Sequence, residues 1–305
     1  MSNRESTAGT AVITGATSGI GRSYAEALAA AGHDLLLTGR RSEKLAAASE
    51  ELEQRYGVAV RRRVLELTDR AALASLVRDV AALSAPAVLV NNAGFGRSSA
   101  FHEDDVEAQA GMVSVHVEAT LRLTHAVIPH MTERGGGWII NVSSLASYLP
   151  LPRGAVYAST KAWIVSFTES IALELAPYGI RCQALLPGFT RTDFHRDPQY
   201  ANLDRRNRGL IRWMDADHVV AASLRCIERN PRVLCIPGAA NRLLSFVVRG
   251  IPRPVLHVLI RRTRVENNAD TGDNGDREHD DDDGGRRPGT GNNTGGGSDG
   301  GRSGQ

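Results

Sequence analysis

Short runs of Val, Ile and Leu alternate along this chain with alanine- and leucine-rich helical stretches, and that alternation limits it to very few folds. The apolar runs are TAVITG, HDLLLTG, VAVRRRVLEL, AVLVNNAG, GGWIINVSS, IRCQALLPG and RVLCIPG. Between them lie stretches such as YAEALAAAG, EKLAAASEELEQRYG, RAALASLVRDVAAL and AWIVSFTESIALELA. Strands that are apolar on both faces and are each followed by a helix predict a parallel sheet covered on both sides. Pro86, Gly135 to Gly137, Pro187 and Pro231 mark the joins. The expected architecture is α/β: one doubly wound, Rossmann-like domain over residues 8–240, with a mostly parallel seven-stranded sheet. A C-terminal helical extension over 241–264 and a disordered tail over 265–305 are expected to follow.

The extension reads NRLLSFVVRGIPRPVLHVLIRR over 241–262, two short apolar pieces broken at Pro252 and Pro254 and flanked by arginines. It is too short and interrupted to span a bilayer. It could dock on its own domain, cover a pocket, meet a partner, or lie on a membrane surface as a peripheral contact. The tail carries ten acidic residues against four arginines, a local charge of −6, so residues 1–264 stand at +8 within the total of +2. With twelve glycines and almost no apolar content, the tail cannot offset the entropy of ordering. Its HDDDD run reads as solvated rather than as a metal site, and no metal is expected. No basic–aromatic stripe or zinc spacing points to nucleic acid. Cys182, Cys226 and Cys235 form no C-x-x-C pair and suit a reducing compartment. The opening SNRESTAGT lacks a signal-peptide core, so a cytoplasmic location is expected.

After the first apolar run comes TGATSGIG, residues 14–21, leading into a helix. Gly15, Gly19 and Gly21 let the backbone turn tightly and approach a pyrophosphate, and the helix start offers free amides. A glycine triplet alone is a weak signal; between a strand and a helix it is a strong one. Further on, VYASTKAW sets Tyr157 and Lys161 one helical turn apart. Alone, that pair is as consistent with an inert surface contact as with chemistry.

Together these motifs resemble the short-chain dehydrogenase/reductase family: TG-x-x-x-G-I-G, then NNAG at 91–94, IINVSS at 139–144, YASTK at 157–161 and PGFTRT at 187–192. The opening half looks like the branch containing ketosteroid and long-chain 3-oxoacyl reductases. The resemblance implies a hydride-transferring oxidoreductase on a hydrophobic carbonyl or alcohol. Tyr157 would be the general acid/base, Lys161 would support it and hold the nicotinamide ribose, and Ser144 would orient the reacting oxygen. Lys161, with the nicotinamide's positive charge in the oxidised complex, would also depress the pKa of Tyr157. Ser143, on the opposite face of the strand, reads as structural.

The implied cofactor contacts are Gly15, Thr17, Ser18, Gly19, Ile20 and Gly21 at the phosphate loop, with Asn91, Ala93 and Gly94 beside it. Tyr157 and Lys161 hold the ribose, and Pro187, Gly188, Thr190 and Thr192 face the nicotinamide. The second strand ends in Gly39 where an NAD enzyme carries an acid, with Arg40 and Arg41 next. A guanidinium suits a 2′-phosphate, so NADP(H) is expected with Arg40 as its contact. LELTD at 65–69 resembles the family's adenine-contacting D-[LV]-[ST]-D, with Glu66 for the first acid, leaving Glu66 or the Leu67 backbone to meet the adenine. His116 stands where the family has an asparagine next to the lysine, and could titrate near neutrality in a supporting role. Residues 193–214 would form a substrate lid, whose arginines could meet an acidic substrate but more readily stay solvated. A dinucleotide-binding sensor without turnover, or a membrane-surface interaction protein, would be the rival functions. Family members are often homo-oligomers, with the helices HVEATLRLTHAVIPHM and KAWIVSFTESIALELA as interface surfaces.

Overall fold

Side chains on successive strand residues bury themselves on opposite faces of one sheet. On strand β1 (Thr10–Ile13), Ala11 and Ile13 enter one core while Val12 enters the other; on β4 (Pro86–Asn91), Val88 and Val90 part from Leu89 in the same way. This period of two, with both faces apolar, is why these runs are strands between helical layers. The computed structural model describes residues 8–196, 207, 212–229 and 232–269.

After β1 come α1 (Gly19–Ala30), β2 (Asp34–Gly39), α2 (Ser42–Tyr56), β3 (Val60–Val64) and α3 (Arg70–Ala81), then β4. The middle of the chain gives α4 (Val106–Val113), α5 (Ala119–Arg134), β5 (Gly137–Val142), α6 (Ala155–Leu175) and β6 (Ile180–Leu185). A single π-helical turn, Ser114–Glu118, joins α4 to α5. Two short strands, β7 (Thr190–Arg191) and β8 (Met214–Asp215), pair with each other, and α7 (Ala216–Arg229), β9 (Leu234–Cys235), α8 (Ala239–Gly250) and α9 (Arg253–Ala269) follow.

The main sheet has seven parallel strands in the order β3-β2-β1-β4-β5-β6-β9. Strand order reverses between β1 and β4, which opens a crevice at their carboxyl ends. Arg61, Arg62 and Arg63 blunt the β3 edge, and β9 at the other edge is only two residues long. The core against α1, α2 and α7 holds Tyr24, Leu28, Leu37, Leu45 and Val219; the one against α3, α5 and α6 holds Leu76, Leu89, Leu123, Val127 and Leu175.

The chain divides into two units, residues 1–257 and 258–305. Helix α8 stops at Gly250, and α9 carries Pro254 in its first turn, where proline needs no amide partner. Helix α9 continues to Ala269, five residues into the stretch expected to be disordered. Once a helix is nucleated, each added residue is cheap, so it outruns its apolar pattern. Residues 270–305, with the HDDDD run, lie outside the described residues. Among the described residues no single helix is long and apolar enough to cross a membrane, and no cluster of metal-ligating side chains occurs. The three cysteines are free, with Cys182 and Cys235 buried.

Candidate active site

The glycine loop lies in the crevice and is pinned from β4. Asn92 Nδ2 donates to the carbonyls of Thr14 (2.9 Å) and Gly15 (3.1 Å), while the Asn92 and Ala93 amides both donate to Thr14 Oγ1 at 3.0 Å. Gly15 and Gly19 take φ of +69° and +56°, where a Cβ is strained. A Cβ on Gly21 would come within 2.3 Å of the Gly15 carbonyl oxygen. Ser18 makes no side-chain cap, which leaves the first amides of α1, including that of Ile20, facing the loop. A backbone cradle kept free of side chains at a helix start fits a pyrophosphate.

At the end of β2, a Cβ on Gly39 would meet Thr17 Cγ2 at 2.7 Å. A side chain at this position would need Thr17 to turn aside, and the sequence places none there. Arg40, expected to face a 2′-phosphate, is exposed and pairs with Glu66 at 3.2 Å. Arg41 is the residue drawn onto the loop: its guanidinium donates to Thr17 Oγ1 (2.7 Å), Ser18 Oγ (2.8 Å) and Asp193 (3.0 Å). Glu66 also accepts from the Thr68 amide at 3.4 Å, and Leu67 is buried beside it.

Asn91 turns inward rather than toward the crevice. Its Nδ2 donates to Thr124 Oγ1 and Asn141 Oδ1, at 3.2 and 2.9 Å. Strand parity gives the crevice to Asn92 instead. Ser143 faces inward too, donating to the Lys161 carbonyl at 2.7 Å, as a structural serine should.

Ser144, Tyr157 and Lys161 converge where β5 ends. Ser144 Oγ accepts from the Ala146 amide at 3.2 Å, capping the short turn Leu145–Tyr148, and its hydroxyl lies beside the Tyr157 phenol. Lys161 is 5% exposed, and its Nζ donates to the Val142 carbonyl at 2.9 Å and stands 5.7 Å from the Tyr157 ring centre. Burial lowers its pKa to about 7. The phenol of Tyr157 moves upward from its ordinary value, because desolvation outweighs the hydrogen bond from Ser144. The Lys161 ammonium, bound to the Val142 carbonyl, does not offset that rise as expected.

His116 sits on the π-helical turn, 1% exposed, with its ring 5.9 Å from that of Tyr157. The Phe95 amide donates to Nε2 at 3.2 Å, so Nε2 is the acceptor and the proton belongs on Nδ1, which donates to Thr160 Oγ1 at 2.8 Å. Thr160 in turn donates to the Tyr157 carbonyl. Burial, then Lys161, push the His116 pKa well below its usual value, so it stays neutral and does not titrate near pH 7 as expected. Gly94 is the space this ring needs: a Cβ there would meet Nε2 at 2.7 Å.

The loop after β6 closes the crevice. Thr192 packs on Gly19, where a Cβ would meet its Cγ2 at 2.7 Å, and Thr190 donates to the Gly188 carbonyl. Gly188, next to Pro187, has no room for a Cβ because Asn241 of α8 lies 2.7 Å from that position. Phe194 brings its ring 5.9 Å from that of Tyr157. Of the lid arginines, Arg205, Arg206 and Arg208 lie outside the described residues, and Arg212 is exposed. Sequence reasoning missed Asn92, Thr160 and Asn241 and preferred Arg40 to Arg41. Asn92 stands inside NNAG, but nothing in the sequence marks Asn241.

A profile described as short chain dehydrogenase matches residues 9–201. An uncharacterized oxidoreductase of Staphylococcus saprophyticus is 34% identical over 224 residues, covering 73% of this chain and 92% of that protein. A very-long-chain 3-oxoacyl-CoA reductase of Laccaria bicolor is 36% identical, over 57% of this chain and 53% of its own length. Among solved structures, a short-chain dehydrogenase from Sphingobium yanoikuyae in complex with NADPH superposes with a TM-score of 0.68 at 31% identity, over 90% of this chain and 98% of that one.

Proposed function

Because the chain belongs to the short-chain dehydrogenase family, we propose that it is an NADP(H)-dependent oxidoreductase that reduces a carbonyl, or oxidises the corresponding alcohol, on an apolar, lipid-like substrate. The convergence of Ser144, Tyr157 and Lys161 beside the glycine cradle carries this reading.

The preference for NADP(H) rests on Gly39, Arg40 and Arg41. Position 39 carries no carboxylate to take the ribose hydroxyls, and two guanidiniums follow it where a 2′-phosphate would arrive. The NADPH carried by the Sphingobium neighbour accords with it. Gly15 to Gly21 hold the pyrophosphate, Lys161 the nicotinamide ribose, and the Pro187–Thr192 loop the nicotinamide face. Bound NADPH supplies the hydride. Ser144 donates a hydrogen bond to the substrate oxygen and so orients the carbonyl. Tyr157 passes its proton to that oxygen as the new C–H bond forms, and Lys161 stabilises the phenolate left behind. His116 is a positioning residue: through Thr160 it fixes the turn of α6 that carries Tyr157 and Lys161.

Phe194 beside Tyr157, with Phe189 and Trp213 5.1 Å apart on the same loop system, favours an apolar substrate. The 3-oxoacyl-CoA reductase relative points the same way.

Calorimetric titration of NADPH and NADH into wild type, Arg40→Ala and Arg41→Ala tests the cofactor reading. The expected result is NADPH binding at least about tenfold tighter than NADH, a gap that narrows in the arginine variants. Equal affinity for both cofactors in the wild type would overturn it.

A further inference from the structure

A cleft on the described surface lies away from Ser144, Tyr157 and Lys161. It has a volume of about 740 Å³ and runs between α7, the edge strand β9 and α8. That size suits a small-molecule site. The C-terminal extension creates it, since α8 supplies one wall.

The lining combines two kinds of chemistry. Arg232, Arg242 and Arg249 contribute three guanidiniums, and the cleft lining contains no carboxylate. None of the three forms an ion pair among the described residues; Arg249 lies 5.3 Å over the Tyr148 ring and Arg242 stands near the Cys235 thiol. Leu234, Ile236 and Phe246 give the apolar floor and rim, and Phe246 is left 78% exposed. The Cys235 thiol, raised to about 12 by burial, stays neutral and adds to the apolar floor. The surrounding sequence has the same bias: residues 230–265 contain seven arginines and no Asp or Glu.

Unpaired cations beside exposed apolar surface call for a ligand that is anionic at one end and apolar at the other. A twofold mate on this face would set arginines against arginines, which disfavours a second copy.

We propose that the cleft between α7, β9 and α8 is a second binding site, for an alkyl-chain amphiphile with a carboxylate or phosphate head. The head is held by Arg242 and Arg249 with Arg232, and the chain lies over Leu234, Ile236 and Phe246. Such a ligand can arrive as a free acid or as a phospholipid in a bilayer.

The test uses the full chain and two probes. Decanoate, below its aggregation concentration, is titrated calorimetrically into wild type, Arg242→Ala/Arg249→Ala and Phe246→Asp, with decyltrimethylammonium as the cationic control. In parallel, the same proteins are sedimented with phosphatidylcholine vesicles with and without phosphatidylglycerol. Binding of decanoate but not of the cation, weakened about tenfold or more in both variants, is expected. Sedimentation with the anionic vesicles alone, lost in both variants, would support the site with a bilayer lipid as its source. Binding of neither anionic probe, equal binding of the cation, or undiminished binding by both variants would overturn the proposal. NADPH affinity, measured on the same samples, is expected to be unchanged, which separates failure of this site from failure of the active-site reading.

Discussion

Lys161 is the residue whose energetics most clearly point to a task. Its pKa of about 7 lies below the ordinary 10.5. Between those values the unfolded chain holds a proton that the folded chain has lost, so folding stability rises with pH across that window. At pH 7 and below the buried ammonium costs the fold stability, by up to about 5 kcal/mol for a shift of this size. Lys161→Met should therefore raise the melting temperature of the apoprotein at pH 6 more than at pH 10, while removing turnover; calorimetric scans at both pH values check this. Tyr157 gives the complementary expectation. With its pKa raised, it is protonated throughout the neutral range and ready to donate. Tyr157 ionisation should put no step into ketone reduction from pH 6 to 8, where a step near pH 7 belongs to Lys161, and alcohol oxidation, which needs the phenolate, should climb as pH rises; rates in both directions across pH decide it. His116, held neutral, should add no ionisation to either profile, and His116→Asn should leave their shape unchanged.

At the scale of elements, α8 does more than extend the chain. Its first turn buries Asn241, which donates to the Pro237 carbonyl at 2.8 Å and packs on Gly188 of the nicotinamide loop. Asn241→Ala should weaken NADPH binding about three- to tenfold by loosening that loop, with kcat changed less, a split that steady-state kinetics resolves. The sequence marked the sheet, the glycine loop and the Ser144–Tyr157–Lys161 set because strand period, glycine spacing and helical spacing are local patterns. It did not mark contacts between distant segments. Asn241 meets Gly188 from 53 positions away in the chain, and Arg41 reaches Asp193 across |i−j| of 152. The choice of Asn91 over Asn92 turned on strand parity at the very end of β4. The neutrality of His116 depends on burial and on a backbone amide, neither of which a residue pattern reveals.

For the whole molecule, α5 and α6 leave Leu121 and Leu173 46% and 79% exposed. These are the helices that the family resemblance implies as an interface between copies. Sedimentation velocity should show an oligomer, and Leu173→Glu should shift it toward monomer; a wild-type monomer would remove the idea. On the proposed reading, one proton relay and one dinucleotide cradle serve a single hydride transfer. The most direct measurement is NADPH oxidation over a panel of alkyl and aryl ketones by wild type and Tyr157→Phe, with NADPH affinity measured on the same preparations. We expect wild-type turnover that falls about 10²–10⁴-fold in the variant, with cofactor affinity within about threefold. A variant that binds NADPH and turns over as fast as wild type would contradict the account.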